Sequence, residues 1–302
     1  MRRPKAPAQT GRKAKTMQKE RTHEMYDLIA FSKWNQNLPL PELAKSLKEL
    51  GFDGADLPCR PNAPVTHANG PRMLAEVKRI FEDHGLRLGR LVTNLIEADA
   101  EAERLLEAIR EVGVRKIRIG CQLLGKANPR EQMDVARRKL AAMGALLEKH
   151  GVMGAVQNHS GPSLAVNVSS CLLMLRDCDP QWVGVQYDPG HCTLSGEPVS
   201  MAAGLLGPYL HSVNIKNPRQ EYYVNPATGR LAHKAIWVPL RDGLLDVAAA
   251  LKALCNAGYR DALSLHAEYR SHFHMVEHDI EATNGLVAQD VAYLRELMAG
   301  MA

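Results

Sequence analysis

The fold is decided by the stretch VGVQYDPGH, residues 183–191. It begins with an apolar, β-branched run and continues with the carboxylate of Asp188, a Pro-Gly turn and the imidazole of His191. Such a run predicts a buried strand that delivers two ligating or acid/base groups at its carboxyl end. The other elements of the chain are placed relative to this strand.

Strand-then-helix units of the same kind repeat along the chain. The other predicted strands are residues 26–32, 52–57, 86–95, 115–120, 152–157, 210–216 and 262–266. Helical spacing follows them, as in Leu40, Leu43 and Leu47 after the first strand. Eight strands alternating with helices favour a closed (β/α)8 TIM barrel of the α/β class over an open doubly wound sheet, and no Gly-rich phosphate motif opens the first helix. We expect one barrel domain over residues 24–302.

The charge is distributed unevenly along the 302 residues, whose formal net charge is +5. Residues 1–22 contain eight Lys and Arg and one Glu, a net charge of +7, which leaves −2 for the remaining 280 residues. We therefore expect residues 1–23 to form a disordered basic arm and the folded body to have no nucleic-acid partner. No apolar run approaches the length of a membrane helix. Six cysteines without a C-x-x-C pair indicate reduced thiols and a cytoplasmic location.

An insertion separates the last two predicted strands. Residues 217–240 contain a turn signal at residues 225–229 and predict a hairpin or a lid. Its aromatic side chains suit either a lid over the site or a contact in a homo-oligomer; they are Tyr222, Tyr223, His233 and Trp237.

Polar residues follow the predicted strands at their carboxyl ends, where the active site of such a barrel lies. After strand two come Asp56 and Arg60; after strands five to eight come Gln157, Asn158, His159, Asp188, His191, Asn214, Lys216, Asn217, His266 and Glu268. Residues i and i+2 of a strand share a face, so pairs such as His266 and Glu268 point the same way. Burying this many polar groups is costly unless a ligand, metal or network satisfies them. The pattern predicts one shared functional site.

These motifs together resemble the sugar phosphate isomerase/epimerase family, the xylose-isomerase-like TIM barrels. The resemblance extends over nearly all of the chain after residue 24 and rests on GFDGADL at 51–57, QNHSG at 157–161, YDPGH at 187–191, VNIKN at 213–217 and LSLHAEY at 263–269. It implies a barrel whose members hold one divalent ion (Mn, Mg, Co or Zn) through Glu, Asp, His and Glu at the ends of strands five to eight.

The resemblance implies Asp188 as an inherited metal ligand, but the other three positions differ from the family pattern. Gln157 stands where the first Glu would be, Asn214 where the His would be, and His266 where the last Glu would be. A hard divalent ion prefers charged oxygen ligands, so affinity at this position should fall. The paired glutamates that move a proton between sugar carbons in the family are absent too.

Two arrangements restore a working site. In one, Asp188, His191, His266 and Glu268 form a rearranged metal site, with Gln157 as a further candidate ligand. In the other no metal binds; His159, His191 or His266 is the general base, and Lys216 and Arg60 stabilise an oxyanion. The predicted substrate-binding residues are Asp56, Arg60, Asn158, Asn214 and Arg219.

The leading hypothesis is an enzyme that isomerises or epimerises a sugar or sugar derivative, starting with proton removal next to a carbonyl, with a small carbohydrate as its partner. The alternative is a sugar-binding barrel without catalytic activity, since three ligands are replaced. A DNA-repair nuclease on the same barrel would need a three-metal cluster rich in His and Glu and a basic face, and the folded body offers neither.

Overall fold

The computed structural model describes residues 25–120, 122–269 and 279–301. The predicted basic arm, residues 1–23, lies outside the described residues. The strands are β1 Leu28–Phe31, β2 Gly54–Pro58, β3 Arg87–Val92, β4 Lys116–Arg118, β5 Met153–Gln157, β6 Val183–Tyr187, β7 Leu210–Ile215, β8 Asn217–Val224, β9 Leu231–Val238 and β10 Leu263–Leu265. The helices are α1 Leu40–Glu49, α2 Gly70–Asp83, α3 Ala100–Glu111, α4 Pro129–His150, α5 Val168–Leu175, α6 Pro189–Leu194, α7 Val199–Leu206, α8 Val247–Asn256 and α9 Ile280–Ala299.

Eight of the described strands close into a parallel barrel. Their order around the barrel is β1, β2, β3, β4, β5, β6, β7 and β10, and β10 pairs with β1 to complete the ring. Strands β8 and β9 form an antiparallel hairpin between β7 and α8. The predicted (β/α)8 barrel is therefore confirmed, and the insertion at residues 217–240 contains the predicted hairpin. No helix of the described residues is both long and apolar enough to cross a membrane.

Some helices begin or end where the sequence supplies a cap. Asp99 accepts hydrogen bonds from the backbone N–H groups of Glu101 and Ala102 at the start of α3. Helix α4 ends at Gly151, whose φ of 64° lies in the left-handed region that glycine adopts without strain. These caps satisfy backbone groups that a helix end leaves unpaired, and they position the strands that follow.

Strand β6 differs from expectation at its carboxyl end. The sequence predicts a Pro-Gly turn after Asp188, whereas helix α6 begins at Pro189. Proline suits the first helical position, and the Asp188 side chain accepts a hydrogen bond from the His191 N–H as the N-cap. A Cβ at Gly190 would overlap the Lys216 carbonyl oxygen. Glycine therefore lets α6 approach the end of β7.

The barrel interior is polar toward its carboxyl end. Arg118 Nη1 donates to Gln157 Oε1 at 2.7 Å, and Gln186 Nε2 donates to Asn214 Oδ1 at 2.5 Å. All four side chains are buried. Apolar residues on the outer face of the barrel pack under the helices, as Val183 and Val185 of β6 do. The hydrophobic core therefore lies between barrel and helices, and the barrel mouth is left for polar groups.

Candidate active site

A cavity of about 370 Å³ opens at the carboxyl ends of the barrel strands. Its walls mix four cations and one carboxylate with aromatic and apolar groups; they are Phe31, Lys33, Arg60, Asn94, Ile96, Arg118, Gly120, Leu123, Gln157, His159, Lys216, His266 and Glu268. The volume suits a monosaccharide-sized molecule better than a polymer. Residues from seven of the eight barrel units thus meet at one place.

The ammonium group of Lys216 lies at the centre of the charged residues. Its Nζ is 2.7 Å from Glu268 Oε2 and 3.8 Å from Asp188 Oδ2. Trp237 of β9 covers it, with the ring centroid 4.1 Å from Nζ. The lysine side chain is 4% exposed, so these contacts replace most of its hydration. Lys216 is thus a buried cation between two carboxylates, beneath a residue of the hairpin.

Asp188 is fully buried below the cavity and is held by hydrogen bonds on both oxygens. Its Oδ2 accepts from Gln157 Nε2 at 2.9 Å, and Oδ1 accepts from the His191 N–H at 3.1 Å. Its backbone is fixed as well, since its N–H donates to Asn158 Oδ1 and its carbonyl accepts from Asn158 Nδ2. Burial raises the pKa of Asp188 to about 6, against the lowering effect of Lys216. The carboxyl is therefore mainly ionised at pH 7.

Backbone groups fix the tautomers of His159 and His191. The Ser160 N–H donates to Nδ1 of His191 at 3.1 Å, so this nitrogen carries no proton and Nε2 carries it. Nδ1 of His159 lies 2.7 Å from the Ser160 carbonyl oxygen, which only accepts, so this Nδ1 is protonated and Nε2 is a free base. The two rings lie against each other with centroids 4.0 Å apart. His159 therefore offers a proton acceptor, and His191 offers a donor.

All three histidines of the site are held neutral at pH 7. Burial lowers the pKa of His159, and nearby Lys216 lowers it further. The same two causes hold the pKa of His191 and that of His266 well below the usual histidine value. His266 stacks on Phe31 with centroids 4.3 Å apart, and its Nε2 has no hydrogen-bond partner within the described part of the chain. A neutral imidazole can accept a proton at physiological pH.

Glu268 is ionised and doubly paired. Its Oε1 accepts from Lys33 Nζ at 2.9 Å, and its Oε2 accepts from Lys216. Burial alone would raise the pKa of Glu268, but Lys216 and Lys33 outweigh burial and hold it well below the usual glutamate value. This carboxylate is thus an anchor for two cations and a poor base at neutral pH.

The structure brings most of the predicted site residues together in two layers. Gln157, His159, Lys216, His266, Glu268 and Arg60 line the cavity, and Asp188, His191, Asn158, Asn214 and Asp56 are buried beneath it. Asp56 accepts a hydrogen bond from Ser264 at 2.8 Å inside the barrel. Arg219 is placed elsewhere: it is exposed on β8, where it pairs with Glu221.

Sequence reasoning missed Lys33 and Arg118, and it left the role of Trp237 open. Arg118 could have been predicted to point into the barrel, because it lies two residues after Lys116 on a short predicted strand and residues i and i+2 share a face. Lys33 lies in the 3₁₀ turn Ser32–Asn35 directly after β1, and no spacing rule distinguishes it from a surface lysine. Only the fold shows that it reaches Glu268.

The donor groups do not fit the divalent ion that the resemblance implies. Gln157 Oε1 already accepts from Arg118, and Asn214 Oδ1 accepts from Gln186. The Lys216 ammonium stands between Asp188 and Glu268, and Nε2 of His191 bears a proton, so the rearranged set is occupied too. Over residues 25–120, 122–269 and 279–301, no three His, Cys, Asp or Glu side chains are grouped to hold a metal ion. The Lys216 ammonium supplies positive charge at this place instead of a metal ion.

Comparisons with known proteins agree with this architecture. The family model described as xylose isomerase-like TIM barrel matches residues 44–297. Among curated proteins, no sequence reaches a significant match. The fold is also similar to the folds of solved structures.

Three solved structures illustrate the likeness. A xylose isomerase-like TIM barrel protein from Mycobacterium smegmatis, in complex with magnesium, is 17% identical with a TM-score of 0.64, over 88% of this chain and 90% of that chain. The 3-keto-D-glucoside 4-epimerase of E. coli is 15% identical with a TM-score of 0.64, over 89% and 99%. D-psicose 3-epimerase from Clostridium cellulolyticum H10, with D-tagatose, is 12% identical with a TM-score of 0.67, over 90% and 99%. At these identities the likeness concerns the fold.

Proposed function

This chain belongs to the xylose isomerase-like TIM barrel family, and on that premise we propose that it isomerises or epimerises a sugar or sugar derivative by removing a proton next to a carbonyl. Structures of this fold include sugar 3-epimerases and a 3-keto-D-glucoside 4-epimerase. The observation that carries the proposal is the unprotonated Nε2 of His159 in the same cavity as the Lys216 ammonium. A base beside a fixed cation is the minimum that enolisation requires.

Each residue has a role that its protonation state permits. Nε2 of His159 takes the proton from the carbon next to the carbonyl. Lys216 stabilises the negative charge that develops on the carbonyl oxygen. For isomerisation, His159 returns the proton to the neighbouring carbon while the hydroxyl proton there moves to the former carbonyl oxygen. For epimerisation, the opposite face of the same carbon is protonated instead, and His266, whose Nε2 has no hydrogen-bond partner among the described residues, can serve there once its imidazole has taken up a proton from solvent. No step uses a metal ion.

Deuterium exchange tests this proposal. The protein is incubated in D₂O with D-fructose, D-allulose, D-tagatose, L-ribulose and a 3-keto-D-glucoside, and incorporation is followed by mass spectrometry. We expect at least one sugar to gain one deuterium, and His159→Gln to slow this gain by about 100-fold or more. His84→Gln is the matched control, because His84 caps the end of α2, far from the cavity lining, and its ring contacts the Ile80 carbonyl. Exchange that is unaffected by His159→Gln would refute the assigned base.

A second candidate function is sugar binding without turnover. It is favoured by the side-chain oxygens of Gln157 and Asn214, which stand at inherited ligand positions and already accept hydrogen bonds from Arg118 and Gln186. The same panel distinguishes the two functions, since a sugar that raises the melting temperature without gaining deuterium supports binding alone.

A further inference from the structure

Among the described residues, no counter-ion is found for one cation of the cavity, Arg118. Arg118 is 8% exposed, and Nη1 donates to the neutral amide of Gln157. No carboxylate oxygen of the described residues lies within ion-pair distance of its guanidinium, and its Nε is buried without a hydrogen-bond partner there. The other buried cations near it differ: Lys216 pairs with Glu268, and Arg90 lies 3.7 Å from Asp56.

Gln157 lies between Arg118 and the carboxylate of Asp188. Its Oε1 accepts from the guanidinium, and its Nε2 donates to Asp188. A glutamate at this position would pair with Arg118 directly, whereas the amide leaves the positive charge uncompensated. A buried charge without a partner is costly, so an anion that reaches it is favoured.

The surroundings of Arg118 suit an anionic group. Its Cζ lies 5.7 Å from the Phe31 ring centroid, and the Cζ of Arg60 lies 5.6 Å from the same centroid. Two guanidinium groups therefore converge on one aromatic ring at the cavity wall. Glu268, the one carboxylate among the described lining residues, is occupied by two lysines. This end of the cavity is thus positively charged.

We propose that the cavity selects a monosaccharide bearing an anionic group, a carboxylate or a phosphate, and seats that group against Arg118. The inference rests on the proposed function for the sugar part of the ligand and adds a specificity-determining residue. The guanidinium fork matches the planar oxygen pair of a carboxylate and also binds phosphate oxygens. The anionic group and Arg118 neutralise each other, and the carbonyl end of the sugar extends toward Lys216 and His159.

Binding without turnover tests the inference. The probes are D-glucuronate and D-galacturonate, their neutral parents D-glucose and D-galactose, and the two hexose 6-phosphates, each measured by calorimetry and thermal shift at low salt. We expect at least one anionic sugar to bind 10-fold or more tightly than its neutral parent, with affinity falling as NaCl is added. The uronate and phosphate series show which anion is preferred.

Variants assign this preference to Arg118. We expect Arg118→Gln to weaken the anionic sugar by 10- to 100-fold and to leave the neutral parent unchanged, while Arg118→Lys keeps part of the preference. Arg138→Gln, an exposed arginine on α4, is the control and should change nothing. If neutral and anionic sugars bind equally, if no anionic sugar binds, or if Arg118→Gln has no effect, the inference is overturned. The wild-type comparison alone decides this if Arg118→Gln does not fold.

Failure of the inference is distinct from failure of the proposed function. Tight uronate binding through Arg118 without deuterium exchange would refute the proposed activity and keep the anionic subsite. Deuterium exchange on neutral ketoses, with no anionic sugar bound more tightly than its neutral parent, would keep the proposed activity and refute the anionic subsite.

Discussion

Replacing Lys216 with methionine probes the charge balance of the whole site. The substitution keeps an unbranched side chain and removes an ammonium that lies 2.7 Å from Glu268 and 3.8 Å from Asp188. At an effective dielectric constant of about 20, these distances correspond to gross attractions of about 6 and 4 kcal/mol. Desolvation of the ammonium offsets much of that, and removing one partner of a buried pair costs about 3 to 5 kcal/mol in measured cases.

We expect Lys216→Met to destabilise the protein by about 3 kcal/mol at pH 7, the lower end of this range, because Glu268 keeps its contact with Lys33. A loss of about 3 kcal/mol lowers the melting temperature by roughly 6 to 12 °C in a chain of this size. Urea unfolding followed by far-ultraviolet circular dichroism measures the loss without relying on Trp237, which covers Lys216. Lys252→Met, an exposed lysine on α8, is the control and should change stability by less than about 0.5 kcal/mol.

The stability loss caused by Lys216→Met should become smaller as pH falls. In the wild type, burial opposes ionisation of Glu268, but the two lysines hold its pKa well below the unfolded value. The contribution of ionised Glu268 to folding stability is therefore fully present above about pH 4.3 and is lost as pH falls through the folded pKa. Without Lys216, burial raises the pKa of Asp188 further, and that of Glu268 rises. A raised folded pKa penalises the variant at neutral pH and not below about pH 4. The difference should therefore narrow between pH 7 and pH 4, as the penalty on Asp188 disappears, whereas the part that comes from Glu268 persists until pH falls through its folded pKa.

Two outcomes would refute this reasoning. One is an equal loss at pH 7 and pH 4, which would assign the effect to packing. The other is a loss under about 1 kcal/mol at pH 7, which would mean that solvent screens the ammonium as at an exposed site. The double variant Lys216→Met with Glu268→Gln should recover about 1 to 2 kcal/mol, because it also removes a buried charge.

Three further outcomes are expected. Gly190→Ala should destabilise the protein by about 2 to 3 kcal/mol in urea unfolding, because its Cβ would overlap the Lys216 carbonyl oxygen, whereas Gly204→Ala on α7 has open space and should be neutral or stabilising. The rate of deuterium exchange should be independent of pH from 7 to 8 and should fall below about pH 6.5, because burial and Lys216 lower the pKa of His159 below that value. An exchange rate that already falls above pH 7 would contradict His159 as the base. Dialysis against a chelator and then addition of Mn²⁺ should leave the melting temperature unchanged within about 1 °C, whereas a rise of several degrees with Mn²⁺ would show a metal site.

The spacing of apolar residues and the glycines that end helices made most of the fold predictable. Runs such as Val183–Tyr187 alternate with helical patterns that end at glycines such as Gly151, and each feature reflects local backbone geometry. The site location followed from the same reading, because the carboxyl ends of parallel strands meet at one barrel mouth. Helix α6 was missed as a helix because a Pro-Gly pair suits both a turn and a helix start, and the choice depends on the Asp188 cap.

Residue types and spacing by themselves determined the barrel and its polar mouth. The family resemblance added that Gln157, Asn214 and His266 stand where two glutamates and a histidine would be. Tertiary structure alone decided the protonation states and the pairing of charges. The tautomers of His159 and His191 depend on the Ser160 backbone. The carboxylate partners of Lys216 and the neutral amide partner of Arg118 depend on which strands are neighbours. The physical reason is distance: strand and helix patterns arise within a few residues, whereas electrostatic energies depend on contacts between residues far apart in sequence.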